Sequence, residues 1–425
     1  MEAAPAALPP EPLGRLFLRY LRFGLLAWGG PVAQIGLIRQ ELVEEKRWVA
    51  PDHFNRVLAV YQVLPGPEAH EMCVYFGMLS RGRLGGVLAG LGFMLPGFIF
   101  MLALSIVYVG GITSPLVQAF FLGVQPAVVA LVVRAVHRIG GHALRDPWLA
   151  GLAVAAGLAH LGGTTFWLTL PLSGAVYLLV ASRRRAAAGI ALLLLGAALA
   201  AGSLAGRLDE RADSAAQGRP PDGLTTDRPA LVAHAPGADR DRGGGAAGST
   251  SGASPGRLFV AGLRSGLLTF GGAYTVLPFL RHDAVVRGRW MTDEEFLDGV
   301  ALSGMLPAPF IIFSTFVGYL GGGLAGALLL TAGIFLPAFG ITLVGHQALE
   351  RLINHRRTHT VLDGVTAGVV GLIAATALTL AREALTTPAA AAIFALALGL
   401  LYRWKARGAI AVIVLASGVL GLLIG

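Results

Sequence analysis

Two proline-rich motifs carry the clearest chemical signal in the sequence. Pro65-Gly66-Pro67 and Pro307-Ala308-Pro309 each stand at the start of a hydrophobic segment. Proline fixes φ and has no amide hydrogen, so it suits the first turn of a helix and disrupts the interior of one. Each motif therefore predicts a helix start, where free N–H groups and the positive end of the helix dipole can bind an anion.

A pair of glycines interrupts the hydrophobic segment that precedes each motif. The pairs are Gly29-Gly30 and Gly271-Gly272. Paired glycines permit kinks and close backbone approach, and broken helices at matching places in two halves of a chain are typical of a transport site. One such break alone is explained as well by a kink or by packing of small residues. The prediction of a binding site depends on both copies.

Ionisable residues follow the first motif and are absent from the second. Glu68, His70 and Glu71 come directly after Pro67, whereas residues 310–313 are Phe-Ile-Ile-Phe. Ionisable groups at membrane depth are costly and are usually functional. We expect Glu71, one turn into the helix, to lie beside the anion path and to be protonated when an anion is bound. The alternative is a structural hydrogen bond from Glu71 to a neighbouring helix.

An arginine-tryptophan pair also occurs in both halves. Arg47-Trp48 follows Glu41, and Arg289-Trp290 follows Asp283 at the same spacing. An arginine can bind an oxyanion through two parallel hydrogen bonds. The other interpretation is a structural acid–base pair beside an interfacial tryptophan. The residues alone do not decide between them.

The sequence gives no support for catalysis, a cofactor or a metal. His355 and His359 are four residues apart, but they lie in a basic stretch without a carboxylate, which is weak evidence for metal binding. There is no Gly-Lys-Ser/Thr phosphate loop. The net charge of +9 would suggest nucleic acid binding in a soluble protein. Here the basic residues gather in short loops between apolar segments, so no nucleic acid partner is expected.

Composition indicates a membrane protein. Of the 425 residues, 55% are hydrophobic and 13% are charged, whereas soluble domains have about 25% charged residues. Segments such as 85–110 and 186–206 contain no charge and are long enough to cross a hydrocarbon core of about 30 Å. Lipid does not tolerate unpaired backbone, so the spans are expected to be helical. We therefore expect a multi-pass, all-α protein in contact with membrane lipid.

The motifs recur because half of the chain is duplicated. Residues from Trp28 to Pro67 correspond to those from Phe270 to Pro309 at a constant offset of 242 positions. After a slip of one residue, the correspondence continues to Pro147 and its partner Pro388. A duplicated membrane protein is typical of a transporter.

The segments predict about thirteen transmembrane helices in two inverted halves. Mixed-charge stretches at 39–62 and 281–302 are predicted as surface or interfacial helices. The regions are a disordered tail at 1–14, a first repeat at 15–185, an extra helix at 186–206, a flexible polar linker at 207–256 and a second repeat at 257–425.

One unpaired span between equal halves makes the second half enter the membrane upside down. The loop charges agree, since Arg81 and Arg83 correspond to the uncharged stretch at 321–323. The positive-inside rule then predicts a cytoplasmic N-terminus and an external C-terminus.

Together these residues resemble the chromate ion transporter family in its long, two-domain form. The resemblance covers nearly the whole chain except the tail and the linker, and it departs from the usual pattern at Trp28 and Ala308. Its signature consists of Trp28-Gly29-Gly30-Pro31, Arg47-Trp48, Phe54 and Leu64-Pro65-Gly66-Pro67, repeated as Phe270-Gly271-Gly272, Arg289-Trp290, Phe296 and Leu306-Pro307. The resemblance implies export of chromate from a bacterial cytoplasm and chromate resistance. Sulfate or another oxyanion, and a membrane-embedded enzyme or scaffold, are the alternatives.

The substrate site is expected where the two halves meet. The two proline motifs are predicted to approach each other near mid-membrane and to bind a dianion through backbone N–H groups. The glycine pairs would shape the same cavity, and Arg47 and Arg289 would draw the anion to opposite mouths. A homodimer is compatible with the sequence, which does not indicate an oligomeric state.

Overall fold

A computed structural model describes most of the two repeats. The described residues are 8–26, 31–62, 64–111, 114–164, 166–182, 253–270, 273–353, 356–404, 406 and 408–424. The predicted extra helix at 186–206, the linker up to residue 252, and both glycine pairs lie outside them.

The described residues form helices and no strand. The fourteen α-helices are α1 (Leu13–Leu25), α2 (Pro31–Arg39), α3 (Pro51–Tyr61), α4 (Glu68–Gly111), α5 (Pro115–Ala143), α6 (Pro147–Leu161), α7 (Phe166–Ala181), α8 (Pro255–Leu267), α9 (Leu277–Arg281), α10 (Asp293–Gly304), α11 (Ser314–Ile353), α12 (Arg356–Ala384), α13 (Pro388–Arg403) and α14 (Ala409–Ile424). The all-α prediction is confirmed.

The helices repeat with the period that the sequence shows. Helix α1 and its counterpart α8 begin 242 residues apart, at Leu13 and Pro255. A π-helical turn follows in each repeat, at Gln40–Glu45 and His282–Arg287. Helices α5 and α12 begin 241 residues apart, after the one-residue slip. The duplication in the sequence is therefore a duplication of structure, with α1–α7 matching α8–α14 in order.

Helices α4 and α11 are each a tight helical hairpin. Their backbones reverse at Arg81–Gly82 and Gly322–Gly323, where Gly82 and Gly323 have φ values of 61° and 59°. Only glycine adopts this left-handed backbone at low cost. Close glycine contacts hold the two arms together, between Gly77 and Gly85 in α4 and between Gly318 and Gly326 in α11.

The long arms of α4 and α11 are repeat equivalents, and they pack against each other in opposite directions. Gly86 of α4 faces Leu343 of α11, and Gly90, one turn further on, faces Phe339, which is one turn earlier. Equivalent helices that run antiparallel belong to repeats of opposite orientation.

Four described helical stretches are long and apolar enough to cross a membrane. They are Glu68–Gly111, Pro115–Ala143, Phe310–Gly345 and His359–Ala384. Exposed apolar side chains such as Val344 and Leu423, 78% and 77% exposed, suit a lipid environment. The protein is therefore an all-α, multi-pass membrane protein.

Several segments predicted as spans are only half-length helices. Helix α1 has 13 residues, about 20 Å at the helical rise, against a hydrocarbon core of about 30 Å. It ends just before Gly29-Gly30, which lies outside the described residues. The short arm of α4, residues 68–80, is equally short. Both proline motifs and both glycine-pair segments therefore stand at the ends of half-length helices.

The described residues differ from the sequence-based division of the chain in three places. The tail predicted as disordered packs from Leu8 onward, since Leu8 is 4% exposed and the Ser80 hydroxyl donates to the Pro9 carbonyl at 3.0 Å. Helix α8 begins at Pro255, inside the predicted linker. The stretch at 281–302, predicted as a surface or interfacial helix, includes residues 296–302 of α10, which are buried. Neighbouring helices cover these residues, and the hydrophobic periodicity of the stretch itself does not show that such neighbours exist.

Candidate functional site

The first proline motif contacts the second repeat. The Gly66 amide donates to the Thr269 carbonyl at 2.8 Å, and Pro65 forms an isolated antiparallel bridge with Phe270. Thr269 and Phe270 directly precede the pair Gly271-Gly272. Gly66 has φ +150°, a backbone conformation that other residues rarely adopt. This turn therefore brings the first motif to the glycine segment of the other half.

The second proline motif makes the reciprocal contact. The Gln34 side chain donates to the Ala308 carbonyl at 3.1 Å, and Gln34 is only 2% exposed. Gln34 lies on α2, which begins at Pro31, the residue after Gly29-Gly30. Ala308 also packs against Gly97 of α4. The recorded contacts thus join each proline motif to the glycine segment of the opposite repeat.

Both motifs precede helices, as predicted, but the two starts differ. In the first, the amides of His70 and Glu71 donate to the Pro67 carbonyl at 2.9 and 3.1 Å. The amides of Glu68 and Ala69 precede these bonds and have no acceptor within the helix. In the second, a 3-10 turn at Phe310–Phe313 comes before α11.

Glu71 is fully buried against the first motif. Its exposure is 0%, and neither carboxylate oxygen has a hydrogen-bond partner among the described residues. A Cβ placed on Gly66 would lie 2.8 Å from the Glu71 carboxyl carbon. An unpaired buried carboxylate is costly. The side chain therefore occupies the region next to the helix start where an anion would bind.

His70 lies in an aromatic cage that spans the two repeats. Its ring centroid is 4.9 Å from that of Phe335 and 4.7 Å from that of Phe339. Phe93 of the first repeat is 6.5 Å away. The ring nitrogens complete no hydrogen bond within the described residues, although the Gly90 backbone is close.

Arg47 and Arg289 occupy equivalent exposed turns. Both have positive φ, 53° and 51°, which is unusual for residues other than glycine. Each lies in the turn after the π-helical turn of its repeat, and no contact with a proline motif is seen for either arginine among the described residues.

The neighbouring acids form structural pairs with other arginines. Glu41, 6% exposed, pairs with Arg19 of α1, and Asp283, 4% exposed, pairs with Arg264 of α8. The Arg19 guanidinium also lies 4.6 Å from the centre of the Trp48 ring. The acids Glu41 and Asp283 are therefore structural ion-pair partners, but of Arg19 and Arg264. Arg47 and Arg289 remain exposed.

Sequence reasoning missed a buried polar cluster on α10. Asp298, 3% exposed, accepts hydrogen bonds from the Tyr108 hydroxyl at 2.8 Å and from the Gln125 amide at 3.0 Å. Tyr108 and Gln125 belong to the first repeat. Gln34 and Thr269 were also missed. In the sequence each of these residues is only a polar residue in or next to an apolar segment. That pattern does not show which residue it bonds.

No group of three or more metal-ligating side chains occurs among the described residues. His355, of the predicted His355/His359 pair, lies outside those residues.

The sequence matches a known family over both repeats. Residues 14–201 and 256–422 match the family described as "Chromate transporter". The chain is 49% identical to a "Chromate transport protein" of Pseudomonas aeruginosa, over 100% of this chain and 94% of that protein. It is 27% identical to a protein of the same name from Cupriavidus metallidurans, over 93% and 90% of the two chains.

A "Probable chromate transport protein" of Synechococcus elongatus is 28% identical over 89% of this chain and 86% of that protein. No solved structure matches the chain. The family match covers both repeats, and the relative from Pseudomonas aeruginosa extends over the full length of the chain. The protein therefore belongs to the chromate transporter family.

Proposed function

We propose that this protein is a secondary transporter that exports chromate across the cytoplasmic membrane and so confers chromate resistance. The observation that carries the proposal is the reciprocal contact of broken segments from two antiparallel repeats. Such a junction, with free helix N-termini, is where transporters of this architecture bind their substrates. The names of the full-length relatives supply chromate as the substrate. Sulfate, also a tetrahedral dianion, is the alternative.

The binding groups in this proposal are backbone amides. The dianion binds at the proline motifs through N–H groups at the start of α4 and at the start of the 3-10 turn Phe310–Phe313 that precedes α11, and the glycine pairs shape the cavity. Gln34 and Thr269 fix the motifs in place, because each bonds a motif of the opposite repeat. Arg47 and Arg289 attract the anion toward opposite mouths.

The membrane potential drives export in this proposal. An inside-negative potential pushes anions outward, and moving two charges contributes about 4–5 kcal/mol per 100 mV. No nucleotide-binding loop is present in the sequence, so no ATP hydrolysis is invoked.

Glu71 and the dianion compete for the same region. A charged Glu71 at Gly66 would repel a dianion bound to the adjacent amides. We therefore assign the protonated form of Glu71 to the anion-bound state, which links transport to protons. Glu68 and His70 are the other titratable groups beside it on the same arm, and the cage around His70 is apolar.

The test is transport by purified protein in proteoliposomes. An inside-positive potential is imposed, and uptake of labelled chromate is measured with and without excess sulfate. We expect potential-dependent uptake that sulfate inhibits weakly. Absence of protein-dependent chromate uptake would contradict the proposal, and uptake of labelled sulfate in preference to chromate would favour the alternative. A membrane-embedded enzyme would instead convert chromate into another compound without transporting it.

A further inference from the structure

Helices α3 and α10 are repeat equivalents in very different surroundings. Helix α10 packs against α5, α12 and α14, and its residues 296–303 are all buried. Helix α3 packs mainly against α4, and several of its residues are exposed. Inverted repeats that exchange conformations are the basis of alternating access. The difference between these two helices therefore indicates which side of the site is open.

The exposed face of α3 is polar. Asp52, Asn55, Arg56 and Gln62 are all exposed, and at about 100° per residue their positions fall on one side of the helix and its C-terminal cap. Lipid does not tolerate such a face. The face therefore meets water, either in an aqueous path or at the membrane surface.

The depth of α3 favours an aqueous path. Gln62 comes three residues before Pro65, which bridges to Phe270 of the opposite repeat. In the second repeat the equivalent helix is enclosed by membrane helices, so α3 is expected to insert to the same depth. The polar face thus runs from the Arg47 turn toward the first proline motif.

The residue of α10 that corresponds to Arg56 is buried. Arg56 corresponds to Asp298 at the offset of 242 positions. Arg56 makes no hydrogen bond or ion pair with any described residue, whereas Asp298 is buried and held by Tyr108 and Gln125 of the first repeat. The hydrogen bonds of Asp298 fasten α10 against the first repeat.

We propose that the polar face of α3 lines the open access path to the Pro65-Gly66-Pro67 turn, and that Arg56 binds the oxyanion on this path. In this conformation the Asp298 cluster closes the opposite side. An exposed, unpaired guanidinium suits a tetrahedral oxyanion, because its N–H groups donate in pairs. The inference rests on the proposed function and adds the access route and a binding residue outside the proline motifs.

The first test is kinetic. In proteoliposomes, Arg56→Gln is expected to raise the KM for chromate about fivefold, the factor that corresponds to ~1 kcal/mol for one exposed charge contact, with little change in kcat. The KM of Arg56→Lys should lie between those of the wild type and Arg56→Gln. The control is Arg83→Gln, an exposed arginine at the α4 hairpin turn, which should leave KM unchanged. Equal KM values for Arg56→Gln and wild type, or an equal rise in both glutamine variants, would overturn the assignment.

The second test does not depend on chromate. Gln62→Cys and its repeat equivalent Gly304→Cys are compared for reaction with a hydrophilic thiol reagent in the purified protein. A Cβ on Gly304 meets only ordinary contacts, at 3.7 Å and beyond, so that variant should fold. The single native cysteine, Cys73, is buried, and wild type gives the background.

Gln62→Cys is expected to react several-fold faster than Gly304→Cys. Equal rates, or a faster reaction of Gly304→Cys, would show that α3 does not line the open side. Because this readout needs no substrate, it separates failure of the access path from failure of chromate transport as the function.

Discussion

Gly66 is constrained in three ways at once. Its φ of +150° excludes side chains, its amide bonds Thr269 of the opposite repeat, and its Cα faces the carboxylate of Glu71. Ala308, at the equivalent position, carries a methyl group that packs against Gly97, and its cross-repeat hydrogen bond is accepted by its carbonyl instead. The two proline motifs therefore differ in their contacts although the repeats correspond.

Gly66→Leu should abolish chromate transport while the protein still inserts. The new side chain meets the Glu71 carboxylate and forces a backbone conformation that costs roughly 1–3 kcal/mol. Uptake in proteoliposomes and the amount of protein in the membrane are the two measurements. Gly36→Leu is the matched control, since Gly36 is exposed on α2 with no atom near its Cβ position. Normal transport by Gly66→Leu would make the motif structural only.

Glu71→Gln should retain chromate transport and lose its dependence on pH. A neutral amide imitates the protonated carboxyl, so the variant no longer needs a proton before the dianion binds. Wild-type transport should weaken as pH rises and Glu71 becomes charged, whereas the variant should not. Glu383→Gln, at an exposed carboxylate near the end of α12, serves as control and is expected to keep the wild-type profile. An unchanged pH profile in Glu71→Gln would assign Glu71 a structural role.

At the scale of elements, the hairpins α4 and α11 determine where the two proline motifs lie. Close glycine contacts at Gly77 and Gly85 allow the short arm of α4 to fold back on the long arm, and this fixes where the helix start at Glu68 lies. The second repeat uses Gly318 and Gly326 in the same way. The position of the first proline motif thus depends on glycines of the hairpin that lie outside the motif.

Gly77→Leu should separate the arms of α4 and reduce both stability and transport. A Cβ at this position would overlap Ala89 and the Gly85 carbonyl, and overpacking of this kind typically costs ~1–3 kcal/mol. The measurements are the thermal unfolding midpoint of purified protein and chromate uptake. Gly340→Leu, on an exposed face of α11 with open space at its Cβ, should behave like wild type. A wild-type midpoint for Gly77→Leu would contradict the close packing of the hairpin.

At the scale of the whole molecule, the two repeats are antiparallel and joined through the site. The long arms of α4 and α11 meet along Gly86 and Gly90, and His70 lies between aromatic residues of both repeats. Movement of one repeat against the other would therefore change the surroundings of Glu71 and of both proline motifs.

Reporter fusions should place the linker and the C-terminus on the same side. We expect periplasmic signals for fusions near Gly243 and after Gly425, because the positive-inside rule predicts that the basic loops of the first repeat face the cytoplasm and the second repeat is inverted. A fusion at the α4 hairpin turn, which carries Arg81 and Arg83, is the cytoplasmic control. A cytoplasmic signal at either of the first two sites would rule out this orientation.

The sequence by itself determined the helical membrane architecture, the duplication and the places where helices break. Apolar segments, prolines and glycines act locally, so their positions can be read along the chain, and the starts of α4 and α11 follow Pro67 and Pro309. The constant offset between the repeated motifs also showed which residues of the two halves correspond.

Only the tertiary structure decided which groups meet. Gln34 bonds Ala308, and Tyr108 bonds Asp298, across separations of 274 and 190 residues. The exposed face of α3 and the buried face of α10 come from equivalent stretches of chain, so no local pattern distinguishes their surroundings. Such contacts depend on how all the helices pack together, because burial and hydrogen bonding of a side chain are set by neighbours that are distant in sequence.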